Sequence, residues 1–257
     1  MTAVRKVPEI SAYFWAVKLL TTAMGEAASD YLVYDINKYL AVVLGFLGLA
    51  VALVLQLAVR RYVTPLYWFA VAMVAVFGTM AADVLHIVVG VPYAASSAFF
   101  AACLVVVFVL WYRSEGTLSI HSVHTFRREL FYWATVIATF ALGTATGDMT
   151  ATTLGLGYLA SAVLFAVLIS LPALAYRFVR LNEVVAFWIA YVITRPLGAS
   201  FADWLGRRPA QGGIGFGLGS TTVVLSVLII AVVAYLTVSG REVREEPAGT
   251  WGDAAAR

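Results

Sequence analysis

Four stretches of the chain read alike: FWAVKLLTTAMGEAASD at 14–30, YWFAVAMVAVFGTMAAD at 67–83, YWATVIATFALGTATGD at 132–148 and FWIAYVITRPLGASFAD at 187–203. Each opens with an aromatic residue and Trp, has Gly ten residues after the Trp, and closes on Asp five residues after the Gly. The aligned positions are Phe14, Trp15, Gly25, Asp30; Tyr67, Trp68, Gly78, Asp83; Tyr132, Trp133, Gly143, Asp148; and Phe187, Trp188, Gly198, Asp203. Four of the seven Trp fall in this one pattern at identical spacing, which chance does not explain. Self-similarity at a fixed period is the mark of a repeat architecture.

The composition around the motifs says where such a protein lives. Of 257 residues, 62% are hydrophobic and 12% charged, against about a quarter charged in ordinary soluble domains. A soluble enzyme is excluded. A membrane-crossing helix needs about 20 apolar residues, so the chain has room for about eight and for no separate soluble domain. Hydropathy and capping residues predict helices over 11–34, 39–59, 66–90, 94–112, 129–152, 156–177, 183–205 and 214–238. The fold class is therefore all-α and polytopic, with eight transmembrane helices arranged as four parallel two-helix repeats (about 9–60, 63–113, 127–180 and 182–238). The even-numbered helices carry almost no polar side chains except Gln56 and hydroxyls, which suits an outer, lipid-facing position and leaves the motif helices inside. The polar tail at 240–257 is expected to be disordered and cytoplasmic.

Basic residues orient this arrangement. Arg5, Lys6, Arg60, Arg61, Arg113, Arg127, Arg128, Arg177, Arg180, Arg241, Arg244 and Arg257 fall on one side of the eight-span reading, and only Lys38, Arg207 and Arg208 on the other. The positive-inside rule places both termini in the cytoplasm. The first apolar stretch is too long for a signal peptide and holds Lys18, Glu26 and Asp30, so it reads as a retained helix. The single Cys103 lies in an apolar run, which excludes a disulfide within the chain.

The repeated Trp and Gly pattern, from about Val7 to Val238, resembles a family of bacterial inner-membrane proteins made of four tandem repeats, each with two transmembrane segments and a characteristic Trp. The resemblance implies the architecture and a cytoplasmic-membrane location. It implies no activity, because that family is functionally uncharacterised.

Function has to be read from the repeated residues. Trp15, Trp68, Trp133 and Trp188 sit at the start of each motif helix, as interfacial anchors or as part of a substrate path. Gly25, Gly78, Gly143 and Gly198 fall near the middle of each span, where glycine allows close helix contact or local unwinding; Gly143 and Gly147 also form a GxxxG pair. Asp30, Asp83, Asp148 and Asp203 lie about 22 Å along the helix from their Trp, at 1.5 Å per residue. An acid inside the membrane costs about 2.5–3.5 kcal/mol on insertion scales. Four of them read either as polar helix ends or as carboxylates that converge on a cation or proton, and the unfavourable end of the helix dipole favours the second reading.

The other charges within the spans refine the site. Lys18, Thr22, Glu26 and Asp30 step along one face of the first helix, and Arg195 falls at a depth where it would pair with Glu26. Glu26 and the four Asp against Lys18 and Arg195 leave an acidic surplus, which favours cations. Carboxylates suit Mg, Mn or Ca. His86, three residues after Asp83, would shift the preference toward manganese or zinc if it joined Asp83 at a metal. His121 and His124 read as solvated loop residues. The glycine pattern at 155–160 follows no strand, no bis-histidine haem site is present, and no nucleophile and base pair is visible. The Gly-rich QGGIGFGLGS at 211–220 is either a flexible loop or a packed helix start.

The expectation is a non-enzymatic cation transporter of the cytoplasmic membrane, for a divalent metal and coupled to protons. Asp30, Asp83, Asp148, Asp203 and Glu26 form its pathway. The alternatives are a cation channel with an Asp ring and a non-transporting sensor or assembly module. Partners are the lipid bilayer and an inorganic cation or proton, with no nucleic acid and no cofactor beyond a bound divalent cation. Oligomeric state does not follow from the sequence.

Overall fold

The computed structural model describes residues 5–242; of the tail expected at 240–257, residues 243–257 lie outside the described residues. Every regular element described is helical: α1 (Ala12–Asp30), α2 (Lys38–Ala58), α3 (Thr64–Asp83), α4 (Tyr93–Glu115), α5 (Phe126–Asp148), α6 (Tyr158–Val179), α7 (Glu183–Gly206) and α8 (Leu218–Ser239). Local chemistry sets the starts. Ser11, Asn37, Thr125 and Asn182 each accept a hydrogen bond from a first-turn backbone N–H, and Pro65 stands in the first turn of α3.

Seven helical runs are long and apolar enough to cross a membrane. The first of these, Ala12–Ala58, contains two α-helices. At Asn37 the backbone is extended (φ −165°, ψ 120°), and the Asn37 side chain accepts from the Tyr39 and Leu40 N–H groups at 3.0 and 3.1 Å, which starts α2 afresh.

The four motif helices pack in a closed circuit, α1 on α3, α3 on α5, α5 on α7 and α7 on α1. The plain helices follow an equally regular rule: α2 packs on α3, α4 on α5, α6 on α7 and α8 on α1. Each plain helix thus leans on the motif helix that follows it, and the last returns to the first. Burial agrees, since α1, α3, α5 and α7 bury most of their residues while α2, α4, α6 and α8 bury four or five each.

The repeated glycines make the circuit tight. A Cβ on Gly25 would overlap Ala75, one on Gly78 would lie 2.7 Å from Phe140 Cβ, one on Gly143 would overlap Arg195, and one on Gly198 would lie 2.6 Å from Thr22 Cγ2. Every one of these partners stands three residues before the next repeat's glycine, so a single contact is used four times around the ring. Gly147, second of the GxxxG pair, faces Pro196 at 3.6 Å.

Aromatic residues repeat the same handover at the N-terminal ends of the motif helices. Phe14 meets Trp68 at 5.8 Å between ring centroids, Tyr67 meets Trp133 at 5.7 Å, Tyr132 meets Trp188 at 6.3 Å and Phe187 meets Trp15 at 5.8 Å. Such pairs contribute about 0.5–1.5 kcal/mol each beyond the area they bury. Trp68, Trp133 and Trp188, expected as interfacial anchors or as part of a substrate path, are buried against neighbouring helices, and Trp15 alone of the four stays partly exposed. The aromatic of the preceding repeat gives each indole an apolar partner on the neighbouring motif helix.

Two polar latches hold the same end. Gln56, the one amide of the plain helices, is buried and donates to Glu129 at 3.1 Å, and Glu129 also pairs with Lys6. Glu242 accepts from the Trp68 indole N–H at 3.2 Å and from the Tyr62 hydroxyl, which ties the residues after α8 to the start of α3.

Candidate functional site

Polar groups are stacked in layers inside the ring of motif helices. Nearest the aromatic end is Lys18, 1% exposed, whose Nζ lies 3.9 Å from the centroids of both the Phe140 and Tyr191 rings. Its Nζ has no hydrogen-bond partner among the described residues. Expected to balance the acids, Lys18 is instead held by two aromatic faces.

Arg195 follows, fully buried, and its guanidinium reaches the residue just after the glycine in three of the four repeats. Nη2 donates to Glu26 Oε2 at 2.7 Å, to Thr144 Oγ1 at 2.7 Å and to Thr79 Oγ1, while Nη1 donates to the Thr22 carbonyl at 3.1 Å. Thr79 in turn donates to Glu26 at 3.2 Å. The Glu26–Arg195 pair read from helix depth is present. Arg195 stands at the position that the other repeats fill with Thr22, Ala75 and Phe140, so one repeat supplies a cation to a centre built by the other three.

Beyond this layer come the repeated Asp residues, all buried. Oxygens of Glu26, Asp30 and Asp203 lie within 4.8 Å of one another, a spacing at which one cation can be shared. Arg207 also serves two of these acids: its Nε donates to Asp203 Oδ1 at 2.8 Å and its Nη2 to Asp30 Oδ2. Arg207 lies past the predicted end of the seventh span at 205, and its side chain turns back onto the acids. Asp83 and Asp148 join neither set; their carboxylates have no hydrogen bond or ion pair among the described residues, and Asp83 Oδ2 is buried without a partner.

The backbone changes register where these acids stand. Directly after Asp30, Asp83 and Asp148 the helix widens into π-helical turns, Tyr31–Asn37, Val84–Val88 and Met149–Thr153. Such turns often occur at functional sites. After Asp203 the helix runs only to Gly206 without such a turn, and the Arg207 N–H donates to the Asp203 carbonyl at 2.9 Å. The Gly-rich segment then folds back on α7: the N–H groups of Ile214, Phe216 and Gly217 donate to the carbonyls of Trp204, Leu205 and Gly206 at 2.7, 3.0 and 3.1 Å. Gly212, Gly215 and Gly217 adopt positive φ to allow it, so this stretch is a packed cap that precedes α8.

The histidines are not part of this acid group. His86 stacks on Tyr93 with ring centroids 3.5 Å apart, and its Nδ1 lies 2.8 Å from the Val91 carbonyl, so that nitrogen is engaged by the chain itself. His121 approaches Glu183 at 4.0 Å. Among the described residues, Glu26, Asp30 and Asp203 are the group spaced to share a metal ion.

Four copies of one family's pattern, the Repeat of Unknown Function (DUF347), match residues 13–62, 66–117, 131–182 and 186–242. The chain belongs to the DUF347 repeat family. Each DUF347 copy begins two residues before the motif's Trp, within the motif helix, and runs through the plain helix after it. No curated protein and no solved structure matches the chain.

Proposed function

We propose that this DUF347 protein is a membrane-embedded carrier for a divalent cation, coupled to protons, that crosses the cytoplasmic membrane eight times as four parallel two-helix repeats with both termini in the cytoplasm. One observation carries the reading: within the buried acid layer Asp83 Oδ2 is buried with no partner among the described residues, beside three acids whose oxygens lie within 4.8 Å of one another. A buried carboxylate without a counter-charge is costly in an apolar surrounding and is relieved by a cation or a proton. Oxygen-only chemistry of this kind suits a hard ion such as Mg, Mn or Ca. Protons and the ion would then compete for interacting carboxylates, the simplest form of coupling.

Arg195 favours a carrier over a channel. Its guanidinium is bound to groups on α1, α3 and α5 in the middle of the ring, so a cation moving along the centre would meet a fixed positive charge.

Flux measurements test the proposal. Purified protein in liposomes should move at least one ion from a panel of Mg, Mn and Ca, and Asp83→Asn and Asp148→Asn should each reduce that flux. Flux that no single Asp replacement alters would remove the proposed site. No flux of any ion by well-folded protein would favour the non-transporting module.

A further inference from the structure

We infer that the Arg207 guanidinium is a tethered stand-in for the cation, docked on the site when no ion is bound and displaced when one enters. The inference rests on reading Glu26, Asp30 and Asp203 as the cation site. Two of those three acids are the ones that Arg207 engages, Asp203 at 2.8 Å on its own helix and Asp30 across the ring on α1. Guanidinium and ion therefore call on the same two carboxylates and compete for them.

Position separates Arg207 from a fixed brace such as Arg195. Arg195 lies inside α7, fully buried, with bonds to α1, α3 and α5. Arg207 is the residue at which α7 ends: its backbone is already extended (φ −72°, ψ 156°), and the glycine-rich cap follows it. Its guanidinium carbon lies 5.6 Å from the centroid of the Tyr34 ring and 5.6 Å from that of Tyr158, so aromatic faces accompany the charge at the rim of the acid layer. The positions equivalent to Arg207 in the other repeats are Tyr34, Ile87 and Thr152, none of them cationic. One repeat alone supplies a removable charge, and the Asp residues of the second and third repeats are left without one.

Exchange of this kind has a measurable cost. If the docked form dominates, the apparent affinity for an ion falls by the fraction of molecules in which the site is free; a site free one-tenth of the time binds about tenfold more weakly. Mn2+ titration of the full chain in detergent, followed by electron paramagnetic resonance, reads this directly. Arg207→Gln should bind Mn2+ about tenfold tighter than the unaltered protein, Arg207→Lys should fall between them, and adding Asp203→Asn to either should abolish the gain. Arg207→Lys keeps the charge if loss of the guanidinium unfolds the protein. Binding that depends on Asp203 yet is unchanged or weaker in both Arg207 variants would overturn the stand-in and leave the cation site intact. No Mn2+ binding by the unaltered protein or by either folded variant would overturn both.

Discussion

Gly143 on α5 and Arg195 on α7 touch so closely that a Cβ on the glycine would overlap the Arg195 side chain. The central guanidinium is thus placed by a missing methyl group on the neighbouring helix. Gly143→Ala should destabilise the protein by about 1–3 kcal/mol, as overpacking of a tight interior does, and should disturb the contacts of Arg195. Gly147→Ala, where the nearest atom is 3.6 Å away, serves as the comparison and should be close to neutral. Thermal unfolding in detergent distinguishes the two.

The pair between Glu26 and Arg195 should be worth more intact than its separate halves suggest. Removing one member of a buried pair costs about 3–5 kcal/mol because the other charge is stranded. Arg195→Met should therefore lower stability more than the double variant Arg195→Met with Glu26→Gln. A double-mutant cycle on melting temperature checks this, and equal losses would mean that Glu26 is not stranded.

The repeated Trp residues are alike in the sequence and unlike in their hydrogen bonds. Trp188 donates to the Leu118 carbonyl at 2.9 Å and Trp68 to Glu242 at 3.2 Å, whereas the Trp133 indole N–H has no partner among the described residues. Trp→Phe should cost about 1 kcal/mol more at positions 188 and 68 than at 133. Chemical denaturation of the three single variants gives the ranking, and a loss at Trp133 as large as at the other two would contradict it.

Docking of the residues after α8 should depend on pH. Burial pushes the Glu242 carboxyl above the usual range, partly opposed by the bonds from Tyr62 and Trp68. A carboxyl with a raised value favours the docked form below its ordinary pKa, and that contribution is lost as the pH rises through the raised value. Hydrogen exchange at residues 240–242 should accordingly show stronger protection in mild acid than at alkaline pH, after correction for intrinsic rates. Glu242→Gln should flatten the profile.

How much of this was open to sequence reading depends on whether a residue's partner lies in its own repeat. The four motifs were legible because their spacing is kept, and the Glu26–Arg195 pair because helix rise alone sets the two depths. The burial of Trp68, Trp133 and Trp188 was not, since it depends on an aromatic residue of the preceding repeat. Arg207 was missed for a different reason: a residue just past a helix end is free to turn outward or back, and the glycine cap decides which. Nor does periodicity say that Arg207 serves Asp30 and Asp203 while Asp83 and Asp148 go without, or that His86 spends one nitrogen on a carbonyl.

The handing of each plain helix to the next motif helix, with α8 returned to α1, makes the order of the chain a matter of convenience. Any of the linkers between repeats is topologically as good a place to begin as the natural one. Joining residue 242 to residue 5 through a short flexible peptide, and opening the chain at residues 60–61 between α2 and α3, should yield a circularly permuted protein that still folds, as judged by its melting temperature. A single two-helix unit, by the same reasoning, is a hook and an eye made to fit its neighbours.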